Sequence, residues 1–223
     1  MKTVRILGDV HGNYEAMCKV IAIGDKKLDY ILQLGDLGFD YRPLDLFKPI
    51  NAVERRRIFN FIPGNHDNYD TCLSRPECLG NYGKVYFIPN SFFVRGGFSI
   101  DVKYRTPGLD WWDKEELSLA ELDKAVEEYG KIKPKYMFSH ECPFSLVPEI
   151  SDGKTTVRFG WPAILSTRTN LALEKMLQIH RPDFWFFGHF HSNFDRVIDG
   201  TRFICLTSDG RDYIKQTHFD LEV

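Results

Sequence analysis

The sequence predicts an α/β protein, with strands and helices alternating around a largely parallel sheet and a second, partly antiparallel sheet packed on it. Three observations predict this. Five apolar, β-rich runs each end in Gly or Ser and pass at once into acidic, amide or imidazole side chains. Helix-like stretches lie between them, as βαβ units require. The tail carries short strand candidates separated by Asp-Gly pairs, which are good hairpin signals.

The runs come in order. Residues 4–7 lead into Gly8-Asp9-Val10-His11-Gly12, and residues 30–34 into Gly35-Asp36. Residues 58–62 lead into Pro63-Gly64-Asn65-His66-Asp67, residues 135–138 into Ser139-His140, and residues 184–187 into Gly188-His189-Phe190-His191. Unbroken apolar runs of this length suit strands buried on both faces. Helices are expected over residues 13–23, over 118–129 behind a Ser118-x-x-Glu121 capping box, and over 171–179 ahead of Pro182. Residues 194–198, 202–206 and 213–219 are the tail strands, parted by Asp199-Gly200 and Asp209-Gly210. In open α/β sheets ligands bind beyond the carboxyl ends of the strands, so one site can collect all five polar clusters.

Composition bounds the rest. A chain of 223 residues with 43% hydrophobic and 14% aromatic side chains fits one domain, residues 1–223, with a substantial core. Its net charge of -2 argues against a surface built for non-specific nucleic-acid binding. No run approaches the roughly 18 apolar residues that span a membrane. The first twelve residues leave no room for a secretory leader, and the five cysteines are odd in number and scattered. Together these give the expectation of a cytoplasmic protein with reduced thiols.

Five of the seven histidines, His11, His66, His140, His189 and His191, fall in the polar clusters. Asp and Asn favour strand ends as ordinary turn residues, but His does not. Carboxylate, imidazole and amide donors without thiolate suit catalytic Mn, Fe, Ni, Co or Zn rather than a structural Cys-rich zinc. Asp-x-His and His-x-His are expected to present two donors the same way on one extended strand end. Two cations about 3.5–4 Å apart would lower the pKa of a bridging water and hold phosphoryl oxygens for in-line attack. A neutral-range histidine would then protonate the leaving oxygen.

The ordered blocks GDVHG, GDL, GNHD, SHECP and GHFH resemble the signature of the calcineurin-like metallophosphoesterase family, over residues 8–191. The resemblance implies two mixed β-sheets packed face to face with helices outside, a four-layer αββα sandwich. It implies a phosphatase or phosphodiesterase with two divalent metal ions, Mn foremost, and a phosphorylated small molecule or nucleotide as substrate. Asp9, His11 and His191 would bind one metal, Asn65, His140 and His189 the other, and Asp36 would bridge them. His66 would contact the leaving group as general acid, with Asp67 orienting its imidazole.

The second block departs from the family's protein Ser/Thr phosphatase branch, which carries G-D-x-V-D-R-G. Here Gly38 stands at the Val position and Arg42 is out of register, so that branch is not expected. The segment Gly96-Gly97-Phe98-Ser99-Ile100-Asp101, with Arg105, Trp111, Trp112 and Glu115 after it, looks like one found in small bacterial and phage members. It suggests a loop whose Arg105 grips phosphate while Trp111 or Trp112 stacks on a base or sugar. The plainer reading of the Trp pair is core packing ahead of a helix.

Other residues take plain readings. His66 has a second reading as a histidine near the metals that transfers no proton. His180 and His218 read as surface or helix-end residues, Cys142 as a small core residue, and Glu54-Arg55-Arg56-Arg57 as a solvated turn. Arg158 and Arg168 lie between the fourth and fifth blocks, with nothing in their spacing to aim them at the site. Two other functions compete with the hydrolase. A catalytically silent scaffold of the same fold is disfavoured because every ligand position is filled. A nuclease is disfavoured because the chain lacks a basic stripe. Monoesterase and diesterase activity are not separated by the sequence, nor is an oligomeric state set.

Overall fold

The structure, a computed structural model, describes residues 1–24, 27–38, 58–207 and 217–223. Arg42, the 54–57 charge run, the Asp209-Gly210 turn and most of the expected 213–219 strand lie outside them. The described strands and α-helices run β1 (Thr3–Leu7), α1 (Tyr14–Ile21), β2 (Tyr30–Gln33), β3 (Phe59–Phe61), α2 (Tyr69–Cys72), β4 (Tyr82–Gly83) and β5 (Ser91–Val94). They continue with α3 (Leu119–Ile132), β6 (Tyr136–Ser139), α4 (Val147–Ile150), α5 (Lys154–Arg158), α6 (Arg168–Ile179), β7 (Phe184–Phe187), β8 (Phe194–Ile198), β9 (Thr201–Cys205) and β10 (His218–Glu222).

The strands form two mixed sheets, one in the order β10-β1-β2-β3 and the other in the order β4-β5-β6-β7-β9-β8. In the first sheet β1, β2 and β3 are parallel and β10 is antiparallel to β1. In the second, β5, β6, β7 and β9 are parallel, with β4 and β8 antiparallel on the two edges. Of the tail strands, β8 and β9 extend the second, partly antiparallel sheet as their spacing suggested, while β10 crosses back to β1 in the first. The reason is burial: β9 is apolar on both faces and needs a neighbour on each side, whereas β8 is largely exposed and serves as an edge.

Period-two alternation within the strands sorts the core into three layers. Phe92, Met137, Trp185, Phe187 and Phe203 face α3 and α6 on one side of the second sheet. Phe93, Phe138, Phe186 and Ile204 point the other way and meet Val4, Ile6 and Leu32 between the sheets. Leu7, Ile31, Phe59 and Phe61 pack on Met17, Val20 and Ile21 of α1. Helix, sheet, sheet, helix is the αββα order that the motif resemblance implied.

Local signals start the helices where expected. Ser118 and Glu121 make the capping box of α3. Asn13 caps α1 by accepting from the Ala16 amide. Helix α6 begins three residues before the expected start, because Thr167 and Asn170 form a reciprocal capping box. Asn at that third position lies outside the usual Ser/Thr-x-x-Glu/Gln pattern. The short strands β4 and β5 also escaped the sequence reading, since Ser91–Val94 is not followed by a polar cluster.

One buried charge ties three elements together. Arg5 of β1 is 1% exposed. Its guanidinium donates to both carboxylate oxygens of Asp220 on β10, at 2.7 and 2.8 Å, and to the carbonyls of Val20, Ile21 and Ile23 at the end of α1. It therefore satisfies helix-terminal acceptors that lack an intrahelical donor. Arg5→Ala leaves a carboxylate and three carbonyls without this donor, and we expect it to cost about 3–5 kcal/mol of unfolding free energy. The measurement is a urea titration, where the midpoint should fall with little change in slope. A loss below about 1 kcal/mol, the scale of an exposed pair, would remove this residue from the account.

Candidate metal centre

All five polar clusters meet at the carboxyl ends of β1, β2, β3, β6 and β7, so both sheets contribute. The sheets come together there through a parallel bridge between Asp9, after β1, and Thr207, after β9. Gly8 permits the approach, since a Cβ on it would stand 2.0 Å from the Leu206 carbonyl oxygen.

The seven expected ligands divide into two donor sets. In one, His191 Nε2 is 3.2 Å and His11 Nε2 is 3.7 Å from Asp9 Oδ2, and the two ring nitrogens are 2.9 Å apart. In the other, Asn65 Oδ1 lies 2.9 Å from His140 Nε2 and 3.0 Å from His189 Nδ1. Asp36 stands between them. Its Oδ2 is 3.7 Å from His11 Nε2, and its Oδ1 is 3.3 Å from His140 Nε2.

Neither Asp-x-His nor His-x-His is an extended strand end, and only Asp9 and His11 face one way, into a single donor set. His11, Asp36, His189 and His191 have φ of 49°, 54°, 65° and 48°, in the left-handed region. The turn after β7 sends His189 to one set and His191 to the other. Such backbone costs roughly 1–3 kcal/mol per non-glycine residue and persists where surroundings over-determine it. Here they do. The Asp36 carbonyl accepts from the Val10 and His11 amides, and Leu37 accepts from Gly12.

The donor chemistry fits cations. His140 Nδ1 lies 2.8 Å from the Leu34 carbonyl and donates to it, which leaves Nε2 facing two oxygens. Without a proton or a metal ion there, lone pairs would face lone pairs. Burial works against charge on His140, yet the Asp36 and Asp9 carboxylates raise it to about 10. Burial likewise opposes ionisation of Asp9 and Asp36, but the surrounding imidazoles hold both well below the usual carboxylate range. His189 goes the other way: burial and the charge of His140 push it down to about 3. Two carboxylates held ionised, a positive charge favoured at His140 and a neutral ring at His189 make a donor cluster suited to divalent ions.

His66 lies beside this cluster, with Nε2 3.8 Å from Asp36 Oδ2 and 3.2 Å from Arg105 Nη2. Burial lowers it to about 4, with the Arg105 charge acting in the same direction and Asp36 against. Arg105 thus reaches the site, held by Asp101 through two bonds of 2.6 Å. Trp111 and Trp112 do not line the cavity above the cluster. Trp111 and Trp112 are half-buried, and the Trp111 carbonyl accepts from Gly108 in a short turn. The Asp67 carboxylate accepts from the Leu37, Gly38 and Gly64 amides, so it clamps the two ligand-bearing turns to each other. Arg105 and Asp36 both approach the His66 Nε2.

The sequence reading missed Ser99, Asp101 and Glu115 as partners of the site, although all three stand in the segment compared with small family members. Ser99 Oγ accepts from Asn65 Nδ2 at 2.9 Å and so turns the amide oxygen toward His140 and His189. Ser99 N–H donates to Glu115 Oε1 at 3.1 Å. Thr207, 3.4 Å from His191 Nδ1, carried no signal in the sequence. Arg158 does not line the cavity, and Arg168 pairs with Glu116 instead. Cys142 is a buried core residue, and His180 ends α6 with its Nε2 bonded to Pro134.

The family model for calcineurin-like phosphoesterases matches residues 2–193, and the chain belongs to that family of metal-dependent phosphoesterases. Among solved structures, a candidate 5'-nucleotidase from Staphylococcus aureus is similar at 14% identity and a TM-score of 0.53, covering 99% of this chain and 54% of its own. This chain therefore spans about half the length of that one. GAP50, the anchor in the inner membrane complex of Plasmodium, is similar at 13% identity and a TM-score of 0.51, with 94% and 72% covered. At such identities the likeness shows a shared fold. No curated protein matches the chain. No helix among the described residues is long and apolar enough to cross a membrane.

Two expectations follow. A Cβ at Gly64 would stand 2.3 Å from both Asp36 N and Asp36 Oδ1, and 2.8 Å from His140 Cε1. Gly64→Ala should therefore lose metal by elemental analysis and about 1–3 kcal/mol of stability; full metal content would contradict the packing argument. The second concerns Glu115, a buried carboxyl that burial pushes up to about 7. A carboxyl raised on folding contributes stability below its ordinary pKa and loses it as pH rises through the folded value. Glu115→Gln should match the parent near pH 4 and melt about a few degrees higher at pH 8. A gap that does not widen with pH would reject the assignment.

Proposed function

We propose that the chain is a dinuclear metal-dependent phosphoric ester hydrolase, acting on a phosphate monoester or diester of a small molecule or nucleotide. The observation that carries this is the position of Asp36, whose two carboxylate oxygens face two different donor sets. Asp9, His11 and His191 would hold one ion, Asn65, His140 and His189 the other, with Asp36 shared. Mn is the first choice of metal, with Fe, Ni, Co and Zn as alternatives, since carboxylate, imidazole and amide donors suit them all. When bound, the pair supplies Lewis acidity to the phosphoryl oxygens and lowers the pKa of the attacking water.

The protein groups around the ions have separate tasks. Ser99 fixes the Asn65 amide, and Leu34 fixes the His140 tautomer. Arg105 offers charge to the phosphoryl group at the edge of the cluster, pre-set by Asp101. His66 holds the place of proton donor to the leaving oxygen. Its apo form is neutral, because burial and Arg105 oppose the charge; an arriving dianion neutralises Arg105 and favours protonation. The scattered cysteines support a reducing compartment, and we place the enzyme in the cytoplasm. The full complement of donors supports an enzyme over a silent scaffold.

The test compares p-nitrophenyl phosphate with bis-p-nitrophenyl phosphate under added Mn, Ni and Zn, alongside bound-metal analysis. Asp36→Asn should lose both metal and turnover. His66→Ala should keep metal and lose about 10²–10⁴ in rate, most for poor leaving groups. Fewer than two bound equivalents together with no turnover of either ester would sink the proposal; loss of metal in His66→Ala would make that residue a ligand.

A further inference from the structure

An amide side chain has a donor end and an acceptor end of nearly the same shape, and half a turn about its last bond exchanges them. Only the oxygen can ligate a divalent cation, so Asn65 serves the second donor set in one orientation and not in the other. Its Oδ1 stands 2.9 Å from His140 Nε2 and 3.0 Å from His189 Nδ1, and its Nδ2 donates to Ser99 Oγ at 2.9 Å. The Ser99 hydroxyl cannot make this choice by itself. A hydroxyl both donates and accepts, so it would receive either end of the amide.

The choice falls to Glu115. Its Oε1 accepts from the Ser99 amide at 3.1 Å, so the carboxyl faces Ser99. Burial pushes the Glu115 carboxyl up, and the Ser99 side chain and amide draw it back down. A carboxyl that engages Ser99 in this way claims the hydroxyl proton, which leaves the Oγ lone pair to receive an N–H. The oxygen that accepts from Ser99 keeps this capacity whether or not the other oxygen is protonated. With Asn65, Ser99 and Glu115 only 2%, 1% and 3% exposed, a reversed amide would bury its oxygen against that lone pair.

The backbone holds the same parts together by a second route. The Glu115 carbonyl accepts from the Gly97 amide at 3.2 Å, and the Tyr69 hydroxyl bonds both this carbonyl and that of Gly64, next to Asn65. The chain of contacts ends at Asn65, and hence at one of the two donor sets.

We propose that Glu115, acting through Ser99, is a positioning residue that locks the Asn65 amide with its oxygen toward the ion and so sets the affinity of one metal site of the two. The inference rests on reading the cluster as a dinuclear centre.

The test is a calorimetric titration of the metal-stripped full chain with Mn. Ser99→Ala should raise the Kd of one ion about 10–100-fold, the usual effect of removing the partner behind a metal ligand, and leave the other within about threefold. Glu115→Leu, which removes the acceptor at similar volume, should do the same with Ser99 in place. Glu115→Gln, whose oxygen the Ser99 N–H would select, should stay within about threefold of the parent at both ions. A double-mutant cycle identifies the weakened site. Ser99→Ala should change nothing further in His189→Ala, where the second set is already broken, and should keep its full effect in His191→Ala. Equal weakening of both ions, weakening of neither, or an effect that persists in His189→Ala overturns the inference. So does a loss in Glu115→Gln as large as that in Glu115→Leu, and this comparison decides the question if Ser99→Ala does not fold. Fewer than two equivalents bound by the parent sinks the dinuclear reading and this inference with it. Two equivalents in the parent with both Kd values unmoved in Ser99→Ala sinks the inference alone.

Discussion

Asp36 must remain ionised while only 1% exposed, and much of the site is arranged to satisfy that demand. A carboxylate taken out of water needs opposite charge or donors within hydrogen-bond reach. The His66 amide supplies one donor at 2.8 Å, and His140, His11 and His66 surround the two oxygens. These groups come from β1, β3 and β6, so the carboxylate is a point at which both sheets are held to one geometry. The left-handed backbone at Asp36 and at three histidines is part of the same demand, because ordinary strand geometry would aim the side chains along alternate faces.

That concentration of strain and charge is carried by the apolar layers beneath it. The strands that end at the site are buried on both faces, which leaves them little freedom to shift register without exposing a row of Phe and Trp side chains. The clamps made by Asp67 and Arg5 act at different levels. Asp67 joins the turns after β2 and β3 at the site itself. Arg5 fixes the far end of α1 against β10, so that the helix following the first ligand turn stays seated.

The segments after β5 and β6 add what the donor cluster lacks. The first brings Ser99 to orient Asn65, Arg105 to meet His66, and Phe98 and Ile100 to the cavity wall. The second supplies most of the remaining lining, polar and apolar together. One pair of segments thus serves two ends, ordering groups around the donors and bounding the space above them. This division agrees with the general rule that scaffolds hold function on loops at strand ends.

Much of this was determined by the sequence alone. The seven candidate donors, their order and their place at strand ends follow from Gly-Asp, Gly-Asn-His-Asp and Gly-His-x-His blocks, because imidazole has no ordinary reason to gather at turns. The capping boxes are local and can be read from Ser118 and Glu121, and less easily from Thr167 and Asn170. Tertiary structure alone decided the rest. Which sheet each tail strand joins depends on two-sided burial, a property of its neighbours. The opposite aim of His189 and His191 depends on backbone in the left-handed region, to which residue spacing is blind. Thr207 beside His191, Arg105 beside His66, and the clamp made by Asp67 are contacts between residues far apart in the chain, and nothing local specifies them. A sequence writes its donors down in order, but the space between them exists only once the two sheets have met.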